Sequence, residues 1–273
     1  MGGHPDMNCR GTGQIATAVA RRGDALRRIL ITGASSGLGA ALAEAYSAKG
    51  IDVVLMGRSE ERLGRIGERC RAKGAEVQTI SLDIRDTDRF LAEIRRLDAE
   101  AAIDTFFLNA GIGGVSSPDF ASETTERVKE VSEVNFLAPV LGAALAGELM
   151  AARTSGRIVL IGSIAQQFPL PMAPSYSATK AGLAMYSEAL RLRLAKYNVK
   201  ITLVSPGFID TPMNHGMDAP KPFLISAERA AAIIRKRVEE GVERIVVPWQ
   251  FSFLAVLAGL APRSLVAAVL KWV

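Results

Sequence analysis

A tyrosine and a lysine lie four residues apart in the run Ser175-Tyr-Ser-Ala-Thr-Lys180. On a helix, this spacing places both side chains on one face. A phenol titrates near pH ~10 when unperturbed, and a neighbouring ammonium favours the phenolate, so the lysine is expected to lower the tyrosine pKa. A phenol tuned in this way can serve as a general acid and base. Of the four tyrosines, only Tyr176 is followed by a lysine at this distance.

Two polar residues upstream are candidates for the same site. Ser163 follows an apolar run, and its hydroxyl could hydrogen-bond a substrate carbonyl or serve only as a turn residue. Asn135 falls inside an apolar predicted helix, where a buried amide needs partners, so it makes a local structural bond or contributes to a water relay. Beyond the N-terminal leader, His215 is the only histidine, which argues against a Ser-His-Asp hydrolase.

The composition favours one domain that binds neither metal nor nucleic acid. With 273 residues and 49% hydrophobic content, the chain can bury a single large core. Five arginines against two aspartates in residues 1–28 supply +3 of the net charge of +5, so the body is not basic enough to indicate a nucleic-acid partner. Two cysteines and two histidines cannot build a disulfide framework or a metal cluster, and a reduced, cytoplasmic setting is expected.

Residues 1–27 are expected to form a disordered leader. They are rich in Gly, Arg and Thr and lack the apolar stretch of a signal peptide. An overlong start and, from the arginines, an organellar address are the alternatives.

From residue 28 to residue 248, β-branched apolar runs alternate with amphipathic ones. This βαβ rhythm predicts an α/β fold: a Rossmann-like, doubly wound parallel sheet with helices on both faces. We expect seven strands, at 29–32, 52–56, 76–81, 103–108, 157–161, 200–204 and 244–247. Helices are expected near 37–49, 59–73, 87–97, 124–151, 175–197 and 226–240. Such sheets bind ligands at the carboxyl ends of their strands, where the unusual residues of this sequence fall.

A glycine-rich turn, Thr32-Gly-Ala-Ser-Ser-Gly-Leu-Gly39, follows the first predicted strand. Its glycines permit a tight turn and let the amides of the next helix approach a pyrophosphate, although an ordinary βα turn is the alternative. The residues expected to bind a dinucleotide here are Gly33, Ser35, Ser36, Gly37, Leu38 and Gly39.

The second predicted strand ends in Leu55-Met-Gly57-Arg58. A site that selects NAD usually places an acid here against the ribose 2′-hydroxyl, whereas a 2′-phosphate favours arginine. Because glycine stands in place of the acid and Arg58 follows, we expect NADP(H) to be preferred, with NAD(H) still possible. The alternative is that Arg58 only solvates a helix start.

Two further strand ends could contact the cofactor. Asp83 could accept a hydrogen bond from the adenine amino group while Ile84 touches the ring, or Asp83 could simply cap the next helix. The Asn109-Ala110-Gly111 turn could let the backbone approach the cofactor, or Asn109 could merely close that turn.

Together these motifs resemble the short-chain dehydrogenase/reductase family over roughly residues 28–248. The likeness rests on the Thr-Gly-x-x-x-Gly-x-Gly turn, Asn109-Ala-Gly111, the order and spacing of Asn135, Ser163, Tyr176 and Lys180, and Pro206-Gly207 with Thr211. The resemblance implies that Tyr176 is the acid/base and that Ser163 positions the reacting oxygen. It also implies that Lys180 holds the nicotinamide ribose beside Tyr176 and lowers the tyrosine pKa, and that Asn135 supports a proton relay. The residues that would cradle the nicotinamide are Pro206, Gly207, Ile209 and Thr211.

The implied activity is NADP(H)-dependent interconversion of a carbonyl and an alcohol by hydride transfer. The resemblance also implies a homodimer or homotetramer. Two alternatives remain: a reductase of keto-lipids, such as a 3-keto sphingoid base or a 3-oxoacyl group, at a membrane surface, and a catalytically inactive nucleotide-sensing or scaffold protein.

Three loops, 113–118, 165–173 and 207–225, are expected to line the substrate pocket. Their apolar side chains predict a hydrophobic small molecule as substrate, or else they pack the loops onto the scaffold. The substrate-contact candidates are Phe168, Phe208 and Met213. His215 could touch the substrate or remain solvated.

The last segment, 249–273, is strongly apolar and carries only Arg263 and Lys271 as charges. Pro262 interrupts it, and each apolar stretch is shorter than the ~20 residues that span a bilayer. We expect a helical extension that packs on the domain, forms a subunit interface, or lies as a peripheral element on a membrane surface.

Overall fold

The structure is a computed structural model that describes residues 26–113, 123–168, 170–215 and 220–253. Several expectations fall outside the described residues: the leader up to residue 25, most of the 113–118 loop, and the extension beyond residue 253. The side chain of His215 lies outside them as well.

Parallel strands form the centre of the described fold. In chain order, strands β1 to β9 are Arg27–Thr32, Ile51–Gly57, Glu76–Ser81, Ile103–Leu108, Gly156–Ile161, Val199–Pro206, Ile209–Asp210, Ile225–Ser226 and Arg244–Val247. One seven-stranded parallel sheet has the order β3-β2-β1-β4-β5-β6-β9, and β7 pairs with β8 separately. The doubly wound fold and its seven predicted strands are therefore confirmed.

The strand order reverses at β1, whose neighbours are β2 on one side and β4 on the other. A reversal of this kind leaves a crevice at the carboxyl ends of the two central strands, because the following helices go to opposite faces. The candidate residues at the ends of β1, β2, β4, β5 and β6 are thereby brought to one edge of the sheet.

Helices cover both faces of the sheet. In chain order, α1 to α8 are Gly37–Tyr46, Glu60–Ala72, Thr87–Glu100, Thr125–Ser132, Ala138–Ala152, Pro174–Leu194, Pro212–His215 and Ala227–Glu239. The single helix expected at 124–151 is interrupted by a π-helical turn, Glu133–Leu137, between α4 and α5. Such a turn inserts one extra residue into the helical repeat and is frequent at functional sites. This turn contains Asn135.

Side chains cap the N-termini of four helices, α2, α3, α4 and α8. The capping residues, each accepting a hydrogen bond from the backbone amide three positions on, are Ser59, Asp86, Thr124 and Ser226. Helix α1 differs, because its N-cap Ser36 makes no side-chain bond and its first turn contains no acid. The amides at the start of α1 therefore have no competing anion from the chain's own capping residues.

Apolar side chains fill the space on both sides of the sheet. On one face α1, α2 and α8 contribute Leu42, Leu63 and Ile234 to the core, and on the other α3 and α6 contribute Phe90 and Leu190. The continuous helical run Thr125–Ala152 is long and apolar enough to resemble a membrane span, but 56% of its apolar window is buried inside the fold. This burial is what the core helix of a globular domain shows.

Candidate active site

A cavity of about 450 Å³ opens at the carboxyl ends of the central strands. Apart from His215, whose side chain lies outside the described residues, the candidate cofactor and substrate residues of the sequence all line it: Gly33, Ser35, Ser36, Gly37, Leu38, Gly39, Arg58, Asp83, Ile84, Asn109, Ala110, Gly111, Ser163, Phe168, Tyr176, Lys180, Pro206, Gly207, Phe208, Ile209, Thr211 and Met213. Asn135 lies behind the wall instead, fully buried. The candidates from distant parts of the sequence thus share one crevice.

The turn between β1 and α1 is shaped for the close approach of a ligand. Gly33 has φ +67, in the left-handed region, and a Cβ added to Gly39 would lie 2.2 Å from the Gly33 carbonyl oxygen. Side chains are thereby kept away from the helix start. Together with the uncapped N-terminus of α1, this cradle fits the pyrophosphate of a dinucleotide.

Asn109 ties the end of β4 to the end of β1. Its Nδ2 donates hydrogen bonds to the carbonyl oxygens of Thr32, at 2.9 Å, and Gly33, at 3.3 Å. The Thr32 hydroxyl in turn accepts from the backbone amides of Asn109, at 3.0 Å, and Ala110, at 3.1 Å. Asn109 therefore closes the turn, as the structural alternative proposed, and it does so at the cavity wall.

Two arginines lie at the β2 end of the cavity. Arg58 and Arg62 are exposed and line the cavity, and neither guanidinium makes a hydrogen bond or ion pair with any described residue. Gly57, between them and the glycine turn, brings no carboxylate. Arg62 is not among the cofactor residues expected from the sequence, although its charge so soon after Arg58 was the available signal.

Asp83 is already engaged by a neighbour. Its carboxylate accepts hydrogen bonds from Arg85 Nε at 3.0 Å, Arg85 Nη2 at 2.7 Å and the Arg85 backbone amide at 3.0 Å. These bonds, led by those from the side chain, hold the pKa of Asp83 below its usual value. Asp86 caps α3, so the capping alternative for Asp83 is wrong. Asp83 remains at the cavity wall as an ionised carboxylate.

Tyr176 and Lys180 lie on α6 and face the cavity beside Ser163, which lies two residues after the end of β5. Lys180 Nζ lies 5.7 Å from the centroid of the Tyr176 ring and donates a 2.9 Å hydrogen bond to the Ile161 carbonyl oxygen. Ser163 lies near enough to the Tyr176 phenol to exert a lowering effect on its pKa, and the Ser163 hydroxyl accepts a 3.1 Å hydrogen bond from the Ala165 amide. Serine and phenol are therefore placed so that both could contact one substrate oxygen.

Burial dominates the ionisation of this pair. Desolvation raises the pKa of Tyr176, and the nearby Ser163 side chain only partly opposes this rise. Desolvation likewise lowers the pKa of Lys180 from 10.5 to about 8. The expectation that Lys180 brings the tyrosine pKa below its ordinary value is thus wrong for this structure, because the cost of burying a phenolate exceeds any benefit from the lysine.

Asn135 braces the end of β4. Its Oδ1 accepts a hydrogen bond from the Ile112 amide and its Nδ2 donates one to the Ile112 carbonyl oxygen, both at 2.9 Å. A Cβ built on Gly111 would lie 3.3 Å from Asn135 Oδ1 and 3.8 Å from Lys180 Nζ, so all three groups meet at one point. The side chain therefore makes the local structural bonds that the sequence analysis left as one alternative.

Glu123 anchors the start of the helix that carries Tyr176. Its two carboxylate oxygens accept from the Ser175 backbone amide, at 2.8 Å, and from the Ser175 hydroxyl, at 2.7 Å. A carboxylate at a helix N-terminus also interacts favourably with the helix dipole. The sequence offered no signal for this contact, because the two residues are 52 positions apart.

The other end of the cavity is apolar. Phe168, Leu170 and Ala173 come from the loop after β5, and Phe208 and Met213 come from the chain after β6. The wall formed by these five residues offers no charged group to a substrate.

Comparison with known proteins agrees with this geometry. The sequence model of the short chain dehydrogenase family matches residues 27–221. An oxidoreductase of Myxococcus xanthus is 31% identical over 90% of this chain and 96% of its own length. A short-chain dehydrogenase from Sphingobium yanoikuyae, solved with NADPH, shares 27% identity with a TM-score of 0.76 and covers 86% of this chain and 95% of its own. A bulky-bulky ketone specific alcohol dehydrogenase from Comamonas testosteroni shares 26% identity with a TM-score of 0.72, over 82% of this chain and 86% of its own. With a parallel sheet, a glycine cradle and a Tyr-Lys-Ser cluster in one cavity, this chain belongs to the short chain dehydrogenase family.

Proposed function

We propose that this oxidoreductase uses NADP(H) to interconvert a hydrophobic ketone and its alcohol, with Tyr176 as general acid and base. The observation that carries the choice of cofactor is the pair Arg58 and Arg62 beside Gly57. Two exposed cations that make no hydrogen bond or ion pair with a described residue, although Arg58 acts electrostatically on Asp83, and no acid on the preceding strand end, suit a ribose 2′-phosphate.

The position of these arginines relative to α2 strengthens the proposal. Arg58 precedes the N-cap of α2, and Arg62 lies in its first turn. Glu60 and Glu61 in the same turn offset part of the unfavourable interaction between these cations and the helix dipole, and a bound anion between the arginines and the helix would offset more of it. The relative from Sphingobium yanoikuyae, which was solved with NADPH, supports the same cofactor.

The test compares kcat/KM for NADPH and NADH in four variants: Arg58→Ala, Arg62→Ala, Gly57→Asp and the control Arg65→Ala. A hydrogen bond to a charged group is worth roughly 1.5–3 kcal/mol, so each cavity arginine should change the NADPH preference by roughly ten- to a hundredfold. A Cβ on Gly57 would make only ordinary contacts, at 3.5 Å from Ser35 and Leu63, so aspartate fits there and should favour NADH.

Arg65 is the matched control because it lies on the same helix, pairs with Glu61 at 3.6 Å and does not line the cavity. Its removal should leave the preference unchanged. Equal use of both cofactors by the wild-type protein, or an unchanged ratio in the Arg58→Ala and Arg62→Ala variants, would refute the NADP(H) proposal.

In the proposed reaction, Ser163 and Tyr176 both hydrogen-bond the substrate oxygen. When bound, the nicotinamide cofactor supplies the hydride in reduction and accepts it in oxidation. The raised pKa of Tyr176 keeps its phenol protonated at neutral pH, ready to donate a proton to the oxygen of a ketone. Lys180, with a pKa of about 8, is mostly charged at pH 7 and would hold the ribose of the bound cofactor.

The substrate class follows from the apolar wall. Phe168, Leu170 and Phe208 can contact the two substituents of a ketone without leaving a buried polar group unpaired. The relative from Comamonas testosteroni, described as specific for bulky-bulky ketones, supports a substrate with two large groups. A panel of dialkyl and aryl ketones, small aldehydes and 3-oxoacyl thioesters, followed by NADPH consumption, tests the proposal; turnover confined to small polar aldehydes would contradict it.

A further inference from the structure

Residues 248–253, which follow the last strand, fold back under the active-site cavity. Phe251 belongs to a helical turn at residues 250–253, is only 4% exposed, and does not line the cavity. Its ring packs against Phe208, at 6.1 Å between centroids, and against Phe223, at 5.6 Å and nearly perpendicular. Phe251 is therefore a buried anchor for two points of the chain that follows β6.

Gly207 passes directly over the Phe251 ring. A Cβ on Gly207 would lie 2.2 Å from Phe251 Cε2 and 2.5 Å from Cδ2, which no real side chain tolerates. The Gly207 amide also donates a 2.8 Å hydrogen bond to the Val247 carbonyl oxygen, at the end of β9. The backbone that forms this wall of the cavity thus rests on the Phe251 ring with no space between them.

Phe223 supplies a second, independent sign that Phe251 holds this chain in place. Its φ is +57, a left-handed conformation that is unfavourable for a bulky residue and persists only where the surroundings impose it. The surroundings here are the Phe251 ring, the hydrogen bond from the Ile225 amide to the Phe208 carbonyl oxygen at 3.2 Å, and the β7–β8 pair.

We propose that Phe251 is a positioning residue for the reaction. It acts from outside the cavity, through Gly207 and Phe208, to fix the wall that faces the nicotinamide and the ketone. This inference rests on the proposed function and deepens it, because it assigns a role in turnover to Phe251, a residue outside the cavity. The adenine end of the cavity, at Arg58 and Arg62, is formed by other elements and is independent of Phe251.

The variants that test the proposal are Phe251→Ala, Phe251→Leu, Gly207→Ala, the double variant Gly207→Ala/Phe251→Ala, and the control Phe253→Ala. Phe253 is the control because it is also a phenylalanine, lies two residues after Phe251 and is 62% exposed. Its substitution should leave the cavity wall unchanged. Misplacement of a reacting group by about 1 Å can cost on the order of a hundredfold in rate, so Phe251→Ala should lower kcat by roughly ten- to a hundredfold.

Two measurements distinguish a positioning role of Phe251 from a purely structural one. The KM for NADPH should stay within about twofold of wild type while kcat falls, because the adenine end of the site is intact. Phe251→Leu should recover most of the kcat. In the wild-type background, Gly207→Ala should lower kcat strongly. In the Phe251→Ala background, where the ring is already gone, the same substitution should lower kcat by less than about threefold, because the effects of residues in direct contact are coupled.

The proposal is overturned by a folded Phe251→Ala variant with wild-type kcat, or by additive effects of Gly207→Ala and Phe251→Ala. If Phe251→Ala does not fold, the variants Phe251→Leu and Gly207→Ala still test the proposal. Wild-type kcat in both variants would show that the contact between Phe251 and Gly207 does not affect turnover. Chymotryptic cleavage after Phe223 is a readout without turnover, and it should be faster in Phe251→Ala than in Phe253→Ala. Absence of turnover in the wild-type protein would refute the proposed function, whereas equal cleavage of these two variants would refute the positioning role alone.

Discussion

Lys180 is expected to make the fold less stable at neutral pH than an apolar residue of similar shape would. Burial lowers its pKa from 10.5 to about 8, and a difference of one pKa unit corresponds to about 1.36 kcal/mol, so the cost of keeping it charged is about 3 kcal/mol. The variant Lys180→Met removes that cost but also leaves the Ile161 carbonyl without its 2.9 Å donor, which costs about 1–3 kcal/mol.

The pH dependence of the free energy of unfolding separates the cost of burying the lysine charge from the loss of the hydrogen bond to Ile161. Between pH 8 and pH 10.5 the unfolded lysine holds its proton and the folded lysine has lost it, so the unfolded state binds more protons. The destabilisation caused by Lys180 is therefore relieved as the pH rises through this window, and the free energy of unfolding increases by at most about 1.4 kcal/mol per pH unit. Below pH 8 the contribution is constant, because both states are protonated.

The assay is urea unfolding followed by circular dichroism at fixed ionic strength, for wild type and Lys180→Met, at intervals from pH 6 to pH 10.5. We expect the wild-type protein to gain about 3 kcal/mol relative to the variant between pH 8 and pH 10.5. The comparison cancels the titration of Tyr176, which is present in both proteins. If the difference in unfolding free energy between wild type and Lys180→Met stayed constant from pH 8 to pH 10.5, Lys180 would not be desolvated and its pKa would not be lowered.

Three further outcomes are expected. The variant Glu123→Gln should lower the free energy of unfolding by about 1 kcal/mol, because it weakens the cap of the Tyr176 helix, whereas Glu126→Gln should cost less; equal unfolding free energies of the two variants would contradict the anchoring role. We also propose that α6 forms a homo-oligomer interface, because Met185 (72% exposed) and Leu192 project from it. Met185→Glu should then convert the protein to monomer in size-exclusion chromatography with light scattering, while Arg193→Glu should not; a monomeric wild type would contradict this. The kcat/KM for NADPH should fall above pH 8 as Lys180 loses its charge, and a flat profile to pH 10 would contradict its role in cofactor binding.

The strands were predictable because each is a local pattern. The run Val53-Val54-Leu55 is fully buried in a strand covered on both faces, and the sequence shows it as unbroken β-branched and aliphatic residues. The order of the strand ends in a doubly wound sheet then brings Gly33, Asn109 and Ser163 together without any knowledge of side-chain contacts.

The features that sequence reasoning missed depend on contacts between distant residues. The π-helical turn exists where Asn135 pairs with the backbone of Ile112, 23 positions earlier, and a helical pattern alone predicts an uninterrupted helix. Glu123 and Ser175 meet only in the folded chain. Phe251 reaches Gly207 because β9 lies next to β6, which no local pattern reveals.

The pKa of Tyr176 shows the same limit in electrostatic terms. The spacing to Lys180 fixes which charge is near the phenol, but the sign of the pKa shift depends on how far both groups are removed from water. Burial raises the tyrosine pKa and lowers the lysine pKa, so each neutral form is favoured. Burial is a property of the packed site, and it can be read only from the structure.

The most direct test of the account is a comparison of wild type and Tyr176→Phe in the same assay, with NADPH binding measured on the same samples. With a bulky ketone as substrate, wild type should consume NADPH, and Tyr176→Phe should lose about 10²–10⁴-fold in kcat because the proton donor is gone. The dissociation constant for NADPH should be unchanged, since Lys180 and the glycine cradle remain. Near-wild-type turnover by Tyr176→Phe would contradict the assignment of Tyr176 as the acid and base.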